Sequence, residues 1–360
     1  MEKIRVLVVD DSLVVRRALR DCFRGDPEIE VCGVAETGVR ALQQIDVLKP
    51  DVVTLDIEMP EMDGLEALKI LRDRGSEVPV IMFSKYTTQG ATATLEALEL
   101  GASDVVAKPE ADGRAGAGVD SVKRQLSTRI RALGRKSRRS RHAPPLKEAP
   151  QDEIKPVEPY RVAGKVEAVG IAISTGGPSA LVEVVSSLSN SIQVPIFITQ
   201  HMPPMFTRFL AERLSVKGPL KALEAEDGMP VEPGRIYVTP GDFHLEVTRY
   251  KGELLINLSQ APHENSCRPS ADFMFRSLAS IYGPRLLGIV MTGMGQDGRK
   301  GAEHIRSMGG TVVAQDEASS LVWGMPRAVV TANLHHAVVP LSEISRVINE
   351  ACSGDRKERK

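Results

Sequence analysis

The sequence predicts an α/β protein built from two doubly wound parallel-sheet domains, the second carrying an antiparallel hairpin insertion. Short Val/Ile/Leu runs alternate with amphipathic helical patterns over residues 4–108, and the alternation resumes from residue 165 to about 350. Between about 110 and 160 large apolar residues thin out, and basic and proline-rich stretches replace them. At 360 residues the chain is long enough to bury a core in each half.

In chain order, IRVLVV, EIEVCGVA, DVVTLDI, VPVIMFS and ASDVVAK are the strands of the first half. LVVRRALRDCFR, GVRALQQIDVL, GLEALKILRDR and GATATLEALELG are the helices between them. A five-stranded parallel, doubly wound sheet follows from that order. The next segment opens with GRAGAG and carries Arg129, Arg131, Arg135, Lys136, Arg138, Arg139 and Arg141 before Pro-rich HAPPLKEAPQDEIKPVEP. It reads as a linker, with a short helix around SVKRQLSTRIRALG; the basic run is open to RNA or anionic lipid, but a solvated tether or one resting on an acidic domain face is the favoured reading. In the second half VEAVGIAI, VPIFITQ and LLGIVM are buried strands, and GRIYVTPGDFHLEVT and ELLINLS are the antiparallel insertion. The expected boundaries are 1–110, a linker over 111–160, a second domain over 161–350 and a polar tail over 351–360.

Composition excludes several classes. A formal net charge of -1 provides no global field for nucleic acid or an anionic membrane. No apolar stretch approaches a membrane span, and an aromatic content of 4% argues against an aromatic-rich binding surface. Cys22, Cys32, Cys267 and Cys352 are scattered, without C-x-x-C or zinc spacing, and H-E-x-x-H is absent. MEKIRVLVVDDS enters a buried strand directly and places Asp10 and Asp11 behind it, which a secretory leader would not do. Reduced thiols and a cytoplasmic location are the expectation.

Polar residues at the strand ends carry the chemistry, because ligands bind at the carboxyl edge of an open parallel sheet. In the first half Asp10 and Asp11 follow the first strand, Asp56 closes the third, Ser84 the fourth and Lys108 the fifth. Crowded carboxylates need a cation to stay ionised, and oxygen ligands suit Mg²⁺. Asp56, on the central strand, is the natural nucleophile for a phosphoryl group. A single Asp after a strand is usually a cap or turn residue, but the four-strand pattern resembles the response-regulator receiver domains. That resemblance implies Mg²⁺ on Asp10, Asp11, Asp56 and the main-chain carbonyl of Glu58. It also implies phosphorylation of Asp56 by a histidine kinase, with Ser84 contacting the phosphoryl group and Lys108 pairing with it. E-M-P-x-M-D-G, Glu58 to Gly64, fits the family's turn, whereas Val105 stands where receivers often carry an aromatic switch residue.

In the second half VEAVGIAI, VPIFITQ and LLGIVMTGMGQ stop at Ser174, His201 and Asp297, read as strand ends bearing the hydroxyl, imidazole and carboxylate of a serine hydrolase. S-T-G-G-P presents a hydroxyl at a helix N-terminus and reads equally as a helix cap or a phosphate loop. His201 alone among the histidines closes a strongly apolar strand, and Asp297 before Gly298 reads by itself as a turn residue. The order Ser, His, Asp and the absence of G-x-S-x-G set the chain apart from the α/β-hydrolases. S-T-G-G-P, I-T-Q-H-M-P-P, E-A-E-D-G, P-G-D, R-P-S-A-D, T-G-M-G-Q-D-G and G-M-P-R-A, from about 170 to 327, resemble the chemotaxis protein-glutamate methylesterases, the CheB family. The resemblance implies Ser174 as nucleophile, His201 as general base and Asp297 as its orienting carboxylate, with oxyanion donors from the backbone at Thr175 and Met294. Ala172-Ile173 replaces the family's Gly-Ala before the serine.

The expected activity is hydrolysis of glutamyl γ-methyl esters, with glutamine deamidation chemically open to the same site. Expected partners are the methylated cytoplasmic domains of chemoreceptors and a chemotaxis histidine kinase, with no nucleic acid, no membrane insertion and no cofactor in the second domain. Regulation is expected from an unphosphorylated first domain that blocks the crevice. A regulator whose second domain only binds, and a hydrolase acting outside chemotaxis, are the alternatives. Dependence of methanol release on Ser174 and on phosphodonor separates them.

Overall fold

The computed structural model describes residues 2–84, 88–108, 115–142, 162 and 164–353. The chain divides into two compact units, Met1–Lys155 and Pro156–Lys360. In the first, strands β1 (Ile4–Val9), β2 (Ile29–Ala35), β3 (Val52–Asp56), β4 (Val80–Ser84) and β5 (Asp104–Ala107) form one parallel sheet in the order β2-β1-β3-β4-β5. Helices α1 (Leu13–Phe23), α2 (Gly38–Leu48), α3 (Gly64–Asp73) and α4 (Thr88–Glu99) connect the strands. Ser12, Thr37 and Asp63 cap the first three by accepting backbone N–H bonds from Val15, Arg40 and Glu66. The order reverses between β1 and β3, so Asp10 and Asp56 flank the crevice at the switch point. A Cβ on Gly64 would lie 2.0 Å from the Asp56 carbonyl oxygen, which is why glycine starts α3 there.

The segment expected as linker begins differently. Helix α5 (Ala115–His142) buries Val122, Leu126, Ile130 and Leu133, and it packs on β1, β3 and β5 of the first sheet. The low apolar count suggested a tether, but these four residues fall on one stripe, which is enough for a helix covered on one side. The arginines flank that stripe. Arg129 pairs with Asp104 at 2.9 Å, Arg131 with Asp26 and Glu28 at 2.8 Å each, and Arg138 with Asp51 at 2.9 Å. Arg135 pairs with Glu28. Of the expected linker, residues 111–114 and 143–160 lie outside the described residues.

The second unit is a seven-stranded parallel sheet in the order β14-β13-β12-β6-β7-β9-β8. Its strands are β6 (Ala168–Ile173), β7 (Ile196–Gln200), β8 (Lys221–Glu224), β9 (Arg235–Val238), β12 (Leu286–Val290), β13 (Thr311–Gln315) and β14 (Ala337–Val339). β10 (His244–Tyr250) and β11 (Glu253–Ser259) form a separate antiparallel hairpin. The expected insertion is therefore shorter than the sequence suggested. RIYV joins the main sheet as β9, and Pro240-Gly241 ends the extended run before β10 starts. Helices α6 (Gly177–Ser186), α7 (Phe206–Lys217), α8 (Ala271–Tyr282), α9 (Arg299–Ser307), α10 (Met325–Thr331) and α11 (Leu341–Cys352) cover the sheet. Met274, Phe275 and Leu278 of α8 are fully buried, and Phe197 stacks on Tyr237 with ring centroids 5.4 Å apart. The expected tail from 351 starts inside α11, and residues 354–360 lie outside the described residues. No helix among the described residues is long and apolar enough to cross a membrane.

Candidate active site

Ser174 follows β6 and His201 follows β7, and these neighbouring strands pair in register through Ile173 and Gln200. The His201 amide donates to the Ile173 carbonyl at 3.2 Å, so both residues leave the sheet at one point. The Ser174 amide donates to the Thr292 carbonyl at 3.0 Å, and the Ser174 carbonyl accepts from the Gly177 amide at 2.8 Å and Gln200 Nε2 at 2.9 Å. A Cβ on Gly177 would meet Gln200 Oε1 at 1.9 Å, so a larger residue there would displace the Gln200 amide that binds the Ser174 carbonyl. The Ser174 hydroxyl makes no hydrogen bond among the described residues.

Asp297 is not at a strand end. β12 stops at Val290, and the loop through T-G-M-G-Q-D-G carries the carboxylate to the N-terminus of α8. There Asp297 Oδ2 accepts from the Ala271 amide at 2.6 Å and binds His201 Nε2 at 2.7 Å. Oδ1 accepts from Ser270 Oγ at 2.7 Å, Asn265 Nδ2 at 2.9 Å and the Asp272 amide at 3.2 Å. Asp297 thereby caps a helix from another segment and sits at its positive end. Burial raises the carboxyl pKa, but the bond to His201, the imidazolium charge and the Ser270 and Ala271 donors hold it well below the usual carboxylate range. Burial equally opposes charge on His201, yet hydrogen bonds to Asp297 and Cys267 hold the ring above its ordinary range.

The other imidazole nitrogen, Nδ1, faces Cys267 Sγ at 3.7 Å. Asn265, Cys267, Ser270 and Asp272 thus surround the pair, and sequence reasoning assigned none of them a role. R-P-S-A-D was itself the available signal, because Ser270 and Asp272 stand in it. Thr175 and Met294, the expected oxyanion donors, lie beside the serine. The Thr175 carbonyl accepts from Thr292 Oγ1 at 2.9 Å, and Met294 follows Gly293, whose Cβ would lie 2.8 Å from Ser174 Cβ. His244 is fully buried between the Pro262 carbonyl and the Ser270 amide and stacks on Phe273, which is a structural placement.

In the first unit, Lys108 Nζ lies 2.8 Å from Asp10 Oδ2 and 2.6 Å from Asp56 Oδ2. Carboxylate oxygens of Asp10, Asp11 and Asp56 fall within 4.8 Å of one another. The contact to Asp10 is an ion pair without hydrogen-bond alignment, so that buried oxygen has no directional donor. Burial pushes the Asp56 carboxyl up to about 6 despite Lys108, with Asp10 and Asp11 adding to the rise. An oxygen-only donor set carrying excess negative charge fits a hard divalent cation. Ser84 ends β4 with its hydroxyl donating to the Gly90 carbonyl at 3.3 Å, and Glu58 lies in the turn after β3. Val105 pairs with Met82 in β4 and is buried, so no ring stands at that position.

The model of the CheB methylesterase family matches residues 169–348, and that of the response regulator receiver domain matches residues 6–117. The chain belongs to the CheB methylesterase family. A protein-glutamate methylesterase/protein-glutamine glutaminase of Nocardioides sp. is 46% identical over 96% of this chain and 94% of its own length. One of the same description from Trichodesmium erythraeum is 42% identical over 97% of this chain and 99% of its own. The crystal structure of the Thermotoga maritima CheB methylesterase catalytic domain is 38% identical, with a TM-score of 0.51, covering 52% of this chain and 99% of that one. Likeness to CheB proteins therefore spans both units.

Proposed function

We propose that this chain is a phosphorylation-controlled esterase that hydrolyses glutamyl γ-methyl esters on the cytoplasmic helices of chemoreceptors, and that it deamidates receptor glutamine at the same site. The observation that carries this reading is the His201–Asp297 pair, 2.7 Å apart and at the sheet edge where Ser174 emerges. Asp297 occupies Nε2, so the proton of Ser174 goes to Nδ1 as Oγ attacks the ester carbonyl. The resulting oxyanion is held by the backbone N–H groups of Thr175 and Met294. The imidazolium returns its proton to the leaving oxygen and methanol departs. Water then attacks the acyl-serine and gives a proton to His201, which passes it to the departing Ser174 Oγ, and the released glutamyl acid ionises to a carboxylate. With a glutamine substrate the same sequence expels ammonia.

In the receiver, Asp56 is the phosphoacceptor, supplied by a chemotaxis histidine kinase. Asp10, Asp11, Asp56 and the Glu58 carbonyl would hold Mg²⁺, which when bound neutralises charge on the phosphoryl oxygens. Lys108 pairs with the phosphoryl group, and Ser84 donates to it once released from Gly90. The arginines of α5 that pair with Asp104, Asp26, Glu28 and Asp51 are already compensated, which supports a role without nucleic acid.

Methanol release from methylated receptor, with and without a small phosphodonor, tests the reading. Ser174→Ala is expected to lower the rate by about three orders of magnitude or more. Full release by that variant would overturn the assignment.

A further inference from the structure

We infer that Asn265 is a positioning residue of the hydrolytic site, holding Asp297 in place by bridging it to a second buried carboxylate, Asp272. The inference deepens the esterase reading and rests on it for its kinetic test. One amide nitrogen, Asn265 Nδ2, lies 2.9 Å from Asp297 Oδ1 and 2.9 Å from Asp272 Oδ2. Asp272 is fully buried, and its other oxygen accepts the Gly301 amide of α9 at 2.6 Å. The amide therefore stands between two buried anions that would otherwise face each other, one anchored to α9 and the other holding His201. Its two N–H groups serve one carboxylate each and add no charge. An aspartate here would be a third anion, and an aliphatic side chain would leave both carboxylates short of a donor.

The loop is built to present this amide. Asn265 and Ser266 have φ of 53° and 62°, and Glu264 and Cys267 close the turn with reciprocal backbone bonds of 3.1 and 2.9 Å. Arg276 of α8 holds Glu264 in a fork at 2.9 and 2.6 Å, and its guanidinium lies 4.9 Å from the Phe273 ring centroid. The left-handed backbone supplies a clean test. Glycine adopts that φ without strain, so Asn265→Gly removes the amide and leaves the turn, whereas Asn265→Ala also strains it.

The charged and titratable groups around Asp297 are His201, His244, Glu264, Asp272 and Arg276, with the Cys267 thiol on the far side of the imidazole. Losing a donor makes the His201–Asp297 pair bind its proton more tightly, so the acid limb of kcat moves to higher pH. In Asn265→Gly, kcat for methanol release is expected to fall about tenfold to a hundredfold, the rate equivalent of one lost hydrogen bond to a buried charge. KM for the methylated receptor is expected to stay near the parent's. Asp272→Asn removes the second anion, so its effect and that of Asn265→Gly should be non-additive in the double variant.

The measurement uses the full chain with phosphodonor, and ¹⁵N NMR follows the His201 ring titration in the same variants. A raised ring pKa with a shifted acid limb supports the inference. An unmoved limb and ring titration, or strictly additive effects, would overturn it. If the parent chain releases no methanol, the esterase reading fails while the NMR titration still decides the role of Asn265.

Discussion

Asp297 and His201, the proposed carboxylate and base of the second unit, are each set by neighbours outside the proposed triad. Asp297 takes five hydrogen bonds, from His201, from Asn265 and from Ser270, Ala271 and Asp272 at the start of α8, so its charge is held before any substrate arrives. Cys267 acts on the base from the other side. Its thiol helps keep the proton on His201, and His201 accepts the serine proton only when neutral. Cys267→Ala should therefore lower the imidazole pKa and move the acid limb of the pH–rate profile to lower pH, opposite in direction to Asn265→Gly. A limb that rises in Cys267→Ala would show that the sulfur is not a proton-holding partner. In the receiver, Asp56 has its carboxyl near 6 against an ordinary 3.8. Between those values the folded state keeps a proton that the unfolded chain has lost, so stability falls as pH rises through the window. About 3 kcal/mol is at stake, and Asp56→Asn should remove that part of the fall, while Asp272, whose burial also raises its carboxyl to about 6, keeps its own part. Denaturant titrations at pH 4 and pH 7 compare the two proteins, and equal pH slopes would refute the assignment.

Among the elements, α5 differs most from the sequence reading. Its apolar residues are sparse, but Val122, Leu126, Ile130 and Leu133 share one face, and Leu126 and Ile130 are completely buried. Ile130→Ala should cost about 2–5 kcal/mol, whereas Lys123→Ala on the exposed face should stay within about 0.5 kcal/mol. Chemical denaturation of the two variants discriminates between a packed helix and a tether, since a tether predicts the same small change for both. The arginines of this helix reach partners more than 100 residues away in sequence, as Arg131 does with Asp26 over 105 and Arg138 with the Glu2 carbonyl over 136. No local pattern marks such pairing, so an arginine run reads alike whether its partners are carboxylates of its own domain or phosphates of a ligand.

On the scale of the whole molecule, the proposed phosphoacceptor pocket and the proposed hydrolytic site occupy equivalent places in their two sheets. In each, a reversal in strand order opens a crevice at the carboxyl edge, where Asp56 stands in one and Ser174 in the other. A single chain that carries both links the state of the first to the output of the second. Phosphodonor should raise methanol release by the full chain several-fold, and Asp56→Asn should no longer respond. A response that survives this substitution would place the switch elsewhere.

The sequence by itself determined the two α/β domains and the positions of Ser174, His201, Asp10, Asp56 and Lys108. Apolar periodicity and turn residues are local properties, and a parallel sheet brings every strand end to one edge. Tertiary structure alone decided which imidazole nitrogen meets Asp297, that Asn265, Ser270 and α8 hold this carboxylate, that β9 joins the main sheet, and that α5 is packed. The donors around Asp297 lie 25 to 32 residues before it, on another helix and loop. Contacts over such separations depend on how elements dock, and docking leaves no period in the chain.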